Sequence, residues 1–175
     1  MRRLILLVAL SAFAVMAGAP AWAGDAPAPA PDKSAFTVFD PTPPADLRML
    51  CPDRPSKATG ACTVDAGHWQ VETDVYDITS QTSGGVTTRM EVFAAPTLKL
   101  GLTNTLDIEA TIAPWEQVAT RDRATGLATT AGGVGDLFLH AKLNLAGDDG
   151  GDVAFALDPY VKIPTAPSSL GNGRI

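Results

Sequence analysis

The sequence contains few of the residues on which most functional sites depend. It has two cysteines and two histidines, and its 13 basic residues are outnumbered by 19 acidic ones, which gives a net charge of −6. Such a chain is not expected to bind nucleic acid, because binding to phosphates requires clusters of lysine and arginine. Beyond residue 23 no apolar run reaches the length of a membrane-spanning helix. Any crossing of a membrane would therefore have to be made by strands.

The scarcity of histidine and cysteine also limits the metal chemistry that can be expected. His68 and His140 have no partners at ligand spacing, so neither a metal site nor a cofactor is indicated. Cys51 and Cys62 are separated by ten residues. In an exported chain, which meets an oxidising compartment, such a pair favours a disulfide.

The N-terminus indicates that the chain is exported. Arg2 and Arg3 precede the apolar run Leu4–Val15, and Ala21–Ala23 forms a small-x-small cleavage site. The run is too short for a spanning helix, so a retained anchor is the less favoured interpretation. We therefore expect a signal peptide over residues 1–23.

The region after the leader is rich in proline and alanine. Asp25–Asp32 repeats Ala-Pro and can form neither helix nor ladder. We expect residues 24–63, which include Cys51 and Cys62, to form a tether and an irregular segment. Ordered sheet is expected only from residue 64 onward.

Five stretches of the remaining chain alternate apolar and polar residues with a period of two. In each, the charged side chains fall almost entirely on one parity, so an extended strand would have one apolar and one charged face. No helical period of comparable length competes with them. The stretches are Gly67–Ile78, Thr88–Leu102, Thr105–Trp115, Val134–Leu145 and Asp152–Ile163. They predict an all-β chain.

Prolines and tryptophans mark particular points on these strands. Pro96, Pro114 and Pro159 lie inside the predicted strands, and each requires a bulge or a strand end because proline lacks a ladder donor. Trp69 falls on the apolar face, where an aromatic girdle at a membrane boundary would place it. Trp115 would join such a girdle only if a bulge at Pro114 switches its side, and otherwise packs in the lumen.

The predicted connections alternate in length. Thr103-Asn104 and Gly147–Gly151 are short, whereas Ser80–Val86, Val118–Gly133 and Pro164–Gly173 are longer and rich in Thr, Ser and Gly. An antiparallel up-and-down order would collect the short turns at one end and the long loops at the other. Bacterial outer-membrane barrels are built in this way.

Two folds remain open on this pattern. The strands of a soluble periplasmic β-sandwich with a binding or structural role would also alternate apolar and polar residues. The length of the segments, the loop asymmetry and the mid-strand charges favour an antiparallel up-and-down transmembrane β-barrel.

The polar parity supplies the candidate lumen of such a barrel. Acidic residues outnumber basic ones there, so an open lumen would mildly favour cations. Alternatively, the charges pair across neighbouring strands and are structural. The residues predicted to line the lumen are Glu72, Asp74, Arg89, Glu91, Lys99, Asp107, Glu109, Asp136, His140, Lys142, Asp158 and Lys162.

Catalysis is not indicated by these residues. Carboxylates two positions apart, such as Asp107 and Glu109, occur whenever one face of a strand is polar. His140 near Asp136 lacks an accompanying nucleophile motif. We therefore expect no enzymatic activity.

Several stretches carry a family resemblance that extends from about Asp53 to the end of the chain. They are Arg54–Gly60, Cys62–His68, Gly135–Leu145, Gly147–Asp152, Ala156–Thr165 and Leu170–Gly173. Together they resemble the outer-membrane transporter-like proteins of the phenol-degradation meta-pathway family. The resemblance implies an outer-membrane β-barrel that passes small hydrophobic or aromatic molecules, with the lipid bilayer and a small solute as partners.

The length of the chain limits this expectation. Five strands are too few to close the smallest barrels of this kind, and their number is odd. We expect residues 64–175 to contain about the first five strands of an incomplete, truncated barrel.

Overall fold

The computed structural model describes residues 32–54, 59–150 and 152–170. The predicted signal peptide and most of the Ala-Pro repeat lie outside these residues. Two short 3-10 helices, Pro44–Asp46 and Ser168–Leu170, accompany the strands, and no helix in the described ranges is long and apolar enough to cross a membrane. The strands are β1 (Trp69–Glu72), β2 (Tyr76–Ser83), β3 (Val86–Phe93), β4 (Thr97–Thr103), β5 (Leu106–Ile112), β6 (Trp115–Asp122), β7 (Ala128–Gly133), β8 (Leu137–Ala146), β9 (Phe155–Leu157) and β10 (Tyr160–Ile163).

The strands form two antiparallel sheets, which confirms the all-β prediction. The larger has six strands in the order β1-β4-β5-β8-β10, with β9 also paired to β8, and the smaller has four in the order β2-β3-β6-β7. Four stretches of chain run from one sheet into the other: β1 to β2, β3 to β4, β5 to β6 and β7 to β8. Neighbouring stretches pair with each other in chain order. The described residues thus form an up-and-down meander, with β1 and β10 at the two ends of the path through the larger sheet.

The strands break at the three predicted prolines. Pro96 lies between β3 and β4, Pro114 between β5 and β6, and Pro159 between β9 and β10. Proline has no N–H to donate to a strand ladder, and at these three positions between strands no such bond is required. Beside Pro96, Ala94 has a φ of 44°, a left-handed conformation that an alanine adopts rarely. Because the backbone turns at these points, side chains at even positions, or at odd positions, do not all point to the same face along a whole stretch.

Two of the predicted long loops are wrong. Ser80–Val86 consists of the end of β2, a turn at Gly84-Gly85 and the start of β3, and Val118–Gly133 is mostly β6 and β7. These segments are rich in Thr and Ser, which favour turns but also suit an extended strand that is exposed on both faces. The connection between β8 and β9 is the longest in the described meander and lies at the same end as the two-residue β4–β5 turn. Loop length therefore does not separate the two ends as predicted.

Burial in the larger sheet is the reverse of that in a water-soluble sheet. Leu98, Ile108 and Leu139 are each more than 40% exposed, whereas Lys142 and Asp107 are 0% exposed. Only four hydrophobic residues are buried in the described ranges, against fourteen polar or charged ones. We call the two sides the apolar face (Val71, Leu98, Ile108, Leu139, Leu143 and Val161) and the charged face (Glu72, Lys99, Asp107, Glu109, Lys142 and Asn144).

The charged face is buried because the irregular N-terminal region lies across it. Ala66 forms a bridge with Gly101, and Thr37 forms one with Thr103, both in β4. A side chain at Gly101 would collide with the carbonyl oxygens of Val64 and Asp65. Glycine at this position therefore lets the N-terminal region approach the sheet backbone closely.

Candidate functional site

The charged face brings residues from four strands together in rows. Antiparallel pairing places Lys99 opposite Glu109, and Glu109 opposite His140. In the next row, Asp107 lies opposite Lys142. Side chains directly opposite each other point to the same side of a sheet. The rows therefore alternate acid and base across the strands, as the structural alternative for these charges predicts.

The centre of the charged face is a network of buried ions. Lys99 Nζ lies 2.7 Å from Glu72 and 3.8 Å from Glu109, and Lys142 Nζ lies 2.9 Å from Glu109. Both lysines also contact the carboxylate of Asp53, at 2.5 Å for Lys142. Desolvation of a buried ion costs several kcal/mol unless opposite charges and hydrogen bonds compensate it. Asp53, which comes from the N-terminal region, supplies part of that compensation for both lysines.

Asp53 is itself held on all sides. Its N–H donates to Glu72 Oε2 at 3.0 Å, and its Oδ1 accepts from the N–H of Gly60 at 2.6 Å. Burial alone would raise the pKa of Asp53, but hydrogen bonds from Lys142 and Lys99 outweigh burial and hold that pKa below its ordinary value. Asp53 is therefore a carboxylate at neutral pH.

A disulfide links Cys51 and Cys62, as predicted, and closes a loop that contains Asp53 and Gly60. Just beyond the loop, the N–H of Val64 donates to Asp107 Oδ2 at 2.9 Å. Just inside it, the carbonyl of Ala61 accepts from Asn144 at 2.9 Å. The loop and the residues beside it are thus bound directly to the charged face.

A second ion cluster lies at the end of the sheet that carries the β8–β9 connection. Arg48 Nε donates to Asp149 at 2.8 Å, and the Arg48 guanidinium lies 3.2 Å from Asp148. Burial raises the pKa of Asp148. Burial also acts to raise the pKa of Asp149, but hydrogen bonds from Arg48, Asn104 and Lys33 lower it to about 2.

The other predicted lumen residues lie around the central network, most of them in pairs. Lys162 lies 3.2 Å from Asp136, and His140 Nδ1 lies 3.1 Å from Asp158. Asp74 contacts Arg54 of the N-terminal region.

Two predicted lumen residues do not join the others. Arg89 Nε contacts Glu91 at 2.7 Å, and both are on the side of β3 opposite to Met90 and Val92. It is Met90 and Val92 that share a cavity with Asp136. The polar residues of this stretch therefore point to the charged face in β4 and to the opposite side in β3, because the backbone turns at Ala94 to Pro96.

The break at Pro114 decides the side of Trp115. Trp115 pairs with Phe93, which pairs with Tyr76, so the three aromatic residues form a row across β6, β3 and β2. They are 41 to 48% exposed. Their neighbours Val92 and Glu116 are on the cavity side, so Trp115 and Phe93 lie on the side continuous with the apolar face. Tyr76, at the end of the row, also lines the cavity over the charged face.

A cavity of about 700 Å³ opens over the charged face. Carboxylates, including Glu72, Asp74 and Asp158, outnumber the cations in its lining, which include Arg54 and Lys99. Aromatic rings flank the cavity: Phe138 lines it, and His140, also in the lining, stacks on Tyr160 with ring centroids 5.2 Å apart. Among the described residues no cluster of three or more potential metal ligands occurs. The lining thus combines carboxylates with aromatic rings.

Several functional residues were missed by the sequence analysis. Asp53, Arg48 and Asp149 fall in segments without alternation, and Asn104 fell within a predicted turn. Glu116, which is 4% exposed, was missed because it follows the parity switch at Pro114. Asp53 is the one acidic residue inside the Cys51–Cys62 loop, and this was the one available signal for it.

Comparison with models of known protein families gives a match. A family model described as "Putative MetA-pathway of phenol degradation" matches residues 52–174. No curated protein and no solved structure matches the chain.

Proposed function

Because the chain belongs to the phenol-degradation family matched over residues 52–174, we propose that it forms the wall of an outer-membrane β-barrel channel for small molecules. The observation that carries the proposal is the reversed burial of the larger sheet, whose charged face is covered and whose apolar face is open. In water an open apolar surface of this extent is unfavourable. In a bilayer, hydrocarbon tails would cover it.

The aromatic row supports a membrane boundary. Trp115, Phe93 and Tyr76 lie where the apolar face of the larger sheet gives way to the polar smaller sheet. From Leu106 to Trp115 the chain advances nine positions, or about 30 Å of extended strand. With the usual tilt of about 40°, that length covers about 23 Å across the membrane, close to the height of an outer-membrane apolar band.

The smaller sheet would project beyond the membrane. The residues of β2 are exposed throughout, and the sheet is rich in Thr and Ser. The opposite end carries the β4–β5 turn and the cluster around Arg48. An exported chain would approach the barrel from the periplasm, so we assign the Arg48 end to the periplasmic side.

The solute class follows from the cavity and the family. The cavity offers carboxylates together with the ring of Phe138 and the His140–Tyr160 stack, and the family description points to phenol degradation. We propose small aromatic molecules as the solutes to test first. The proposal assigns transport to this chain and no catalytic step.

A channel needs a closed wall. In the described residues β1 and β10 end the path through the larger sheet, so further strands would have to pair with these edges. This chain would then form one part of the wall, so flux should be measured on the protein as it is isolated from the outer membrane, together with whatever completes the sheet.

The test combines location with flux. The protein is expected in the outer-membrane fraction with heat-modifiable gel mobility. Because carboxylates outnumber cations in the cavity lining, lipid vesicles that contain the protein are expected to swell in a salt of an aromatic cation, benzyltrimethylammonium, faster than vesicles with heat-unfolded protein. Recovery in the soluble periplasmic extract would favour the β-sandwich alternative. Membrane location without any flux would leave a structural barrel and remove the channel.

A further inference from the structure

The N-terminal region does more than touch the charged face. The plug segment, which we define as residues 48–54 and 59–65, is bound to four strands of the larger sheet. Asp53 binds Glu72 of β1, Lys99 of β4 and Lys142 of β8, and Val64 binds Asp107 of β5. A segment bound to four neighbouring strands on one face lies across the space that this face encloses.

Asp53 is the central attachment of the plug segment. Its carboxylate is shared by Lys99 and Lys142, whose side chains are 3% and 0% exposed. Without the Asp53 carboxylate, both lysines would still contact Glu109, but the plug segment would lose its ionic contacts with the two lysines at the centre of the charged face. The attachment is ionic and directional, so it can be removed by one substitution that hardly changes side-chain volume.

The disulfide makes this attachment act on a whole loop. Asp53 lies inside the loop closed by Cys51 and Cys62, and its Oδ1 also accepts a hydrogen bond from Gly60 on the other side of that loop. Release of this carboxylate would therefore weaken the hold on both limbs of the loop at once, and would leave the contacts of Arg54 with Asp74 and of Ala61 with Asn144 among the remaining attachments.

From this geometry we infer that the plug segment is an autoinhibitory element, held over the channel interior by Asp53 between Lys99 and Lys142. The inference rests on the proposed function, because it assigns the plug segment a role in controlling that channel. Weakening the contacts of Asp53 shifts the equilibrium toward a state in which the loop leaves the charged face and the path is open.

The test uses the full chain in lipid vesicles with Asp53→Asn. Asp122→Asn is the control, because Asp122 is the last residue of β6 and lies away from the plug segment. Asp53→Asn is expected to speed hydrogen exchange at the amides of Gly60 and Val64 by at least about 10-fold, and to raise solute flux by a similar factor. Asp122→Asn is expected to change neither. Asp53→Glu, which restores the charge, is expected to recover slow exchange and low flux, and it guards against a simple folding defect.

Each other outcome has one meaning. Unchanged exchange in Asp53→Asn would overturn the role of Asp53 as an attachment. If Asp53→Asn exchanges faster but the wild type already shows high flux, and the substitution does not change that flux, autoinhibition is overturned and the channel proposal stands. Faster exchange without flux in any variant would overturn the proposed channel function, and the inference with it.

Discussion

The two sheets of this molecule are made from the same continuous stretches of chain but have opposite surroundings. The larger sheet covers its charges and exposes its leucines, whereas β2 in the smaller sheet is exposed along its whole length. The larger sheet is covered on its charged face by the plug segment, whereas β7 of the smaller sheet contacts the 3-10 turn Ser168–Leu170. A strand pattern thus defines two faces, but the surroundings of each face depend on what lies beside it.

The difference also separates two kinds of stability. In the larger sheet, buried ions depend on one another, so removal of one partner leaves others uncompensated. In the smaller sheet, backbone pairing and cross-strand contacts between exposed residues are the main contributions, and each is small.

The largest expected effect comes from breaking the buried network. Lys142→Met should lower the free energy of unfolding by about 3–5 kcal/mol, because Asp53 and Glu109 lose a fully buried partner. The matched variant in the smaller sheet is Arg121→Met, which is exposed and should change stability by less than about 0.5 kcal/mol. Denaturant unfolding in lipid or detergent measures both. Equal effects would mean that the two sheets do not differ in this way.

The next effect tests the surroundings of the apolar face. Leu139→Arg places a charge where Leu139, paired with Ala110 and Val161, is 41% exposed. If lipid covers this face, the substitution should cost about 2–4 kcal/mol in a bilayer. Thr130→Arg in β7 of the smaller sheet is the control and should be nearly neutral. If Leu139→Arg left the free energy of unfolding unchanged, this face would be in contact with water and not with lipid.

A smaller effect should appear in acid. Asp149 has a pKa of about 2 against an ordinary 3.8, so its ion pairs stabilise the fold at pH values above 3.8, and this contribution is lost as the pH falls through about 2. Wild type should therefore be more stable than Asp149→Asn at neutral pH, and the difference should disappear between pH 4 and 2. Unfolding curves at several pH values test this. A difference that persists at pH 2 would show that the carboxylate charge is not its source.

The smallest effect is expected from shortening the smaller sheet. Removal of the paired residues Gln81, Thr82, Thr87 and Thr88 keeps the Gly84-Gly85 turn and the β2–β3 register, and it shifts only the end of β3 at Val86 against β6. Because these residues are exposed or only half-buried, the cost should be below about 1 kcal/mol.

Removal of two register pairs from the β4–β5 hairpin, Leu100 with Ile108 and Gly101 with Asp107, is the matched change in the larger sheet. This deletion should prevent the protein from reaching the folded form whose gel mobility changes on heating. Tolerance of both deletions would contradict the contrast between the sheets.

Much of the fold was predictable because it follows from local chemistry. The period of two located the strands of the larger sheet, and Pro96, Pro114 and Pro159 marked their breaks. The Cys51–Cys62 pairing followed from export and from the absence of other cysteines.

Other features could not be predicted from local pattern. β2 and β7 resemble loops in composition, because a strand exposed on both faces has no need to alternate. The parity switch that puts Arg89 and Glu91 on the other side occurs in the turn from Ala94 to Pro96, and its direction depends on the left-handed conformation of Ala94. Alanine carries no signal for that conformation.

The sequence by itself determined that this chain forms strands with one oily and one charged side, since side-chain alternation is a local property of extended backbone. Tertiary structure alone decided that Asp53 meets Lys99 and Lys142, 46 and 89 residues away. It also decided that the N-terminal region covers the charged side rather than the oily one. The physical reason is that buried ions select partners by charge and geometry in space, and separation along the chain does not specify those.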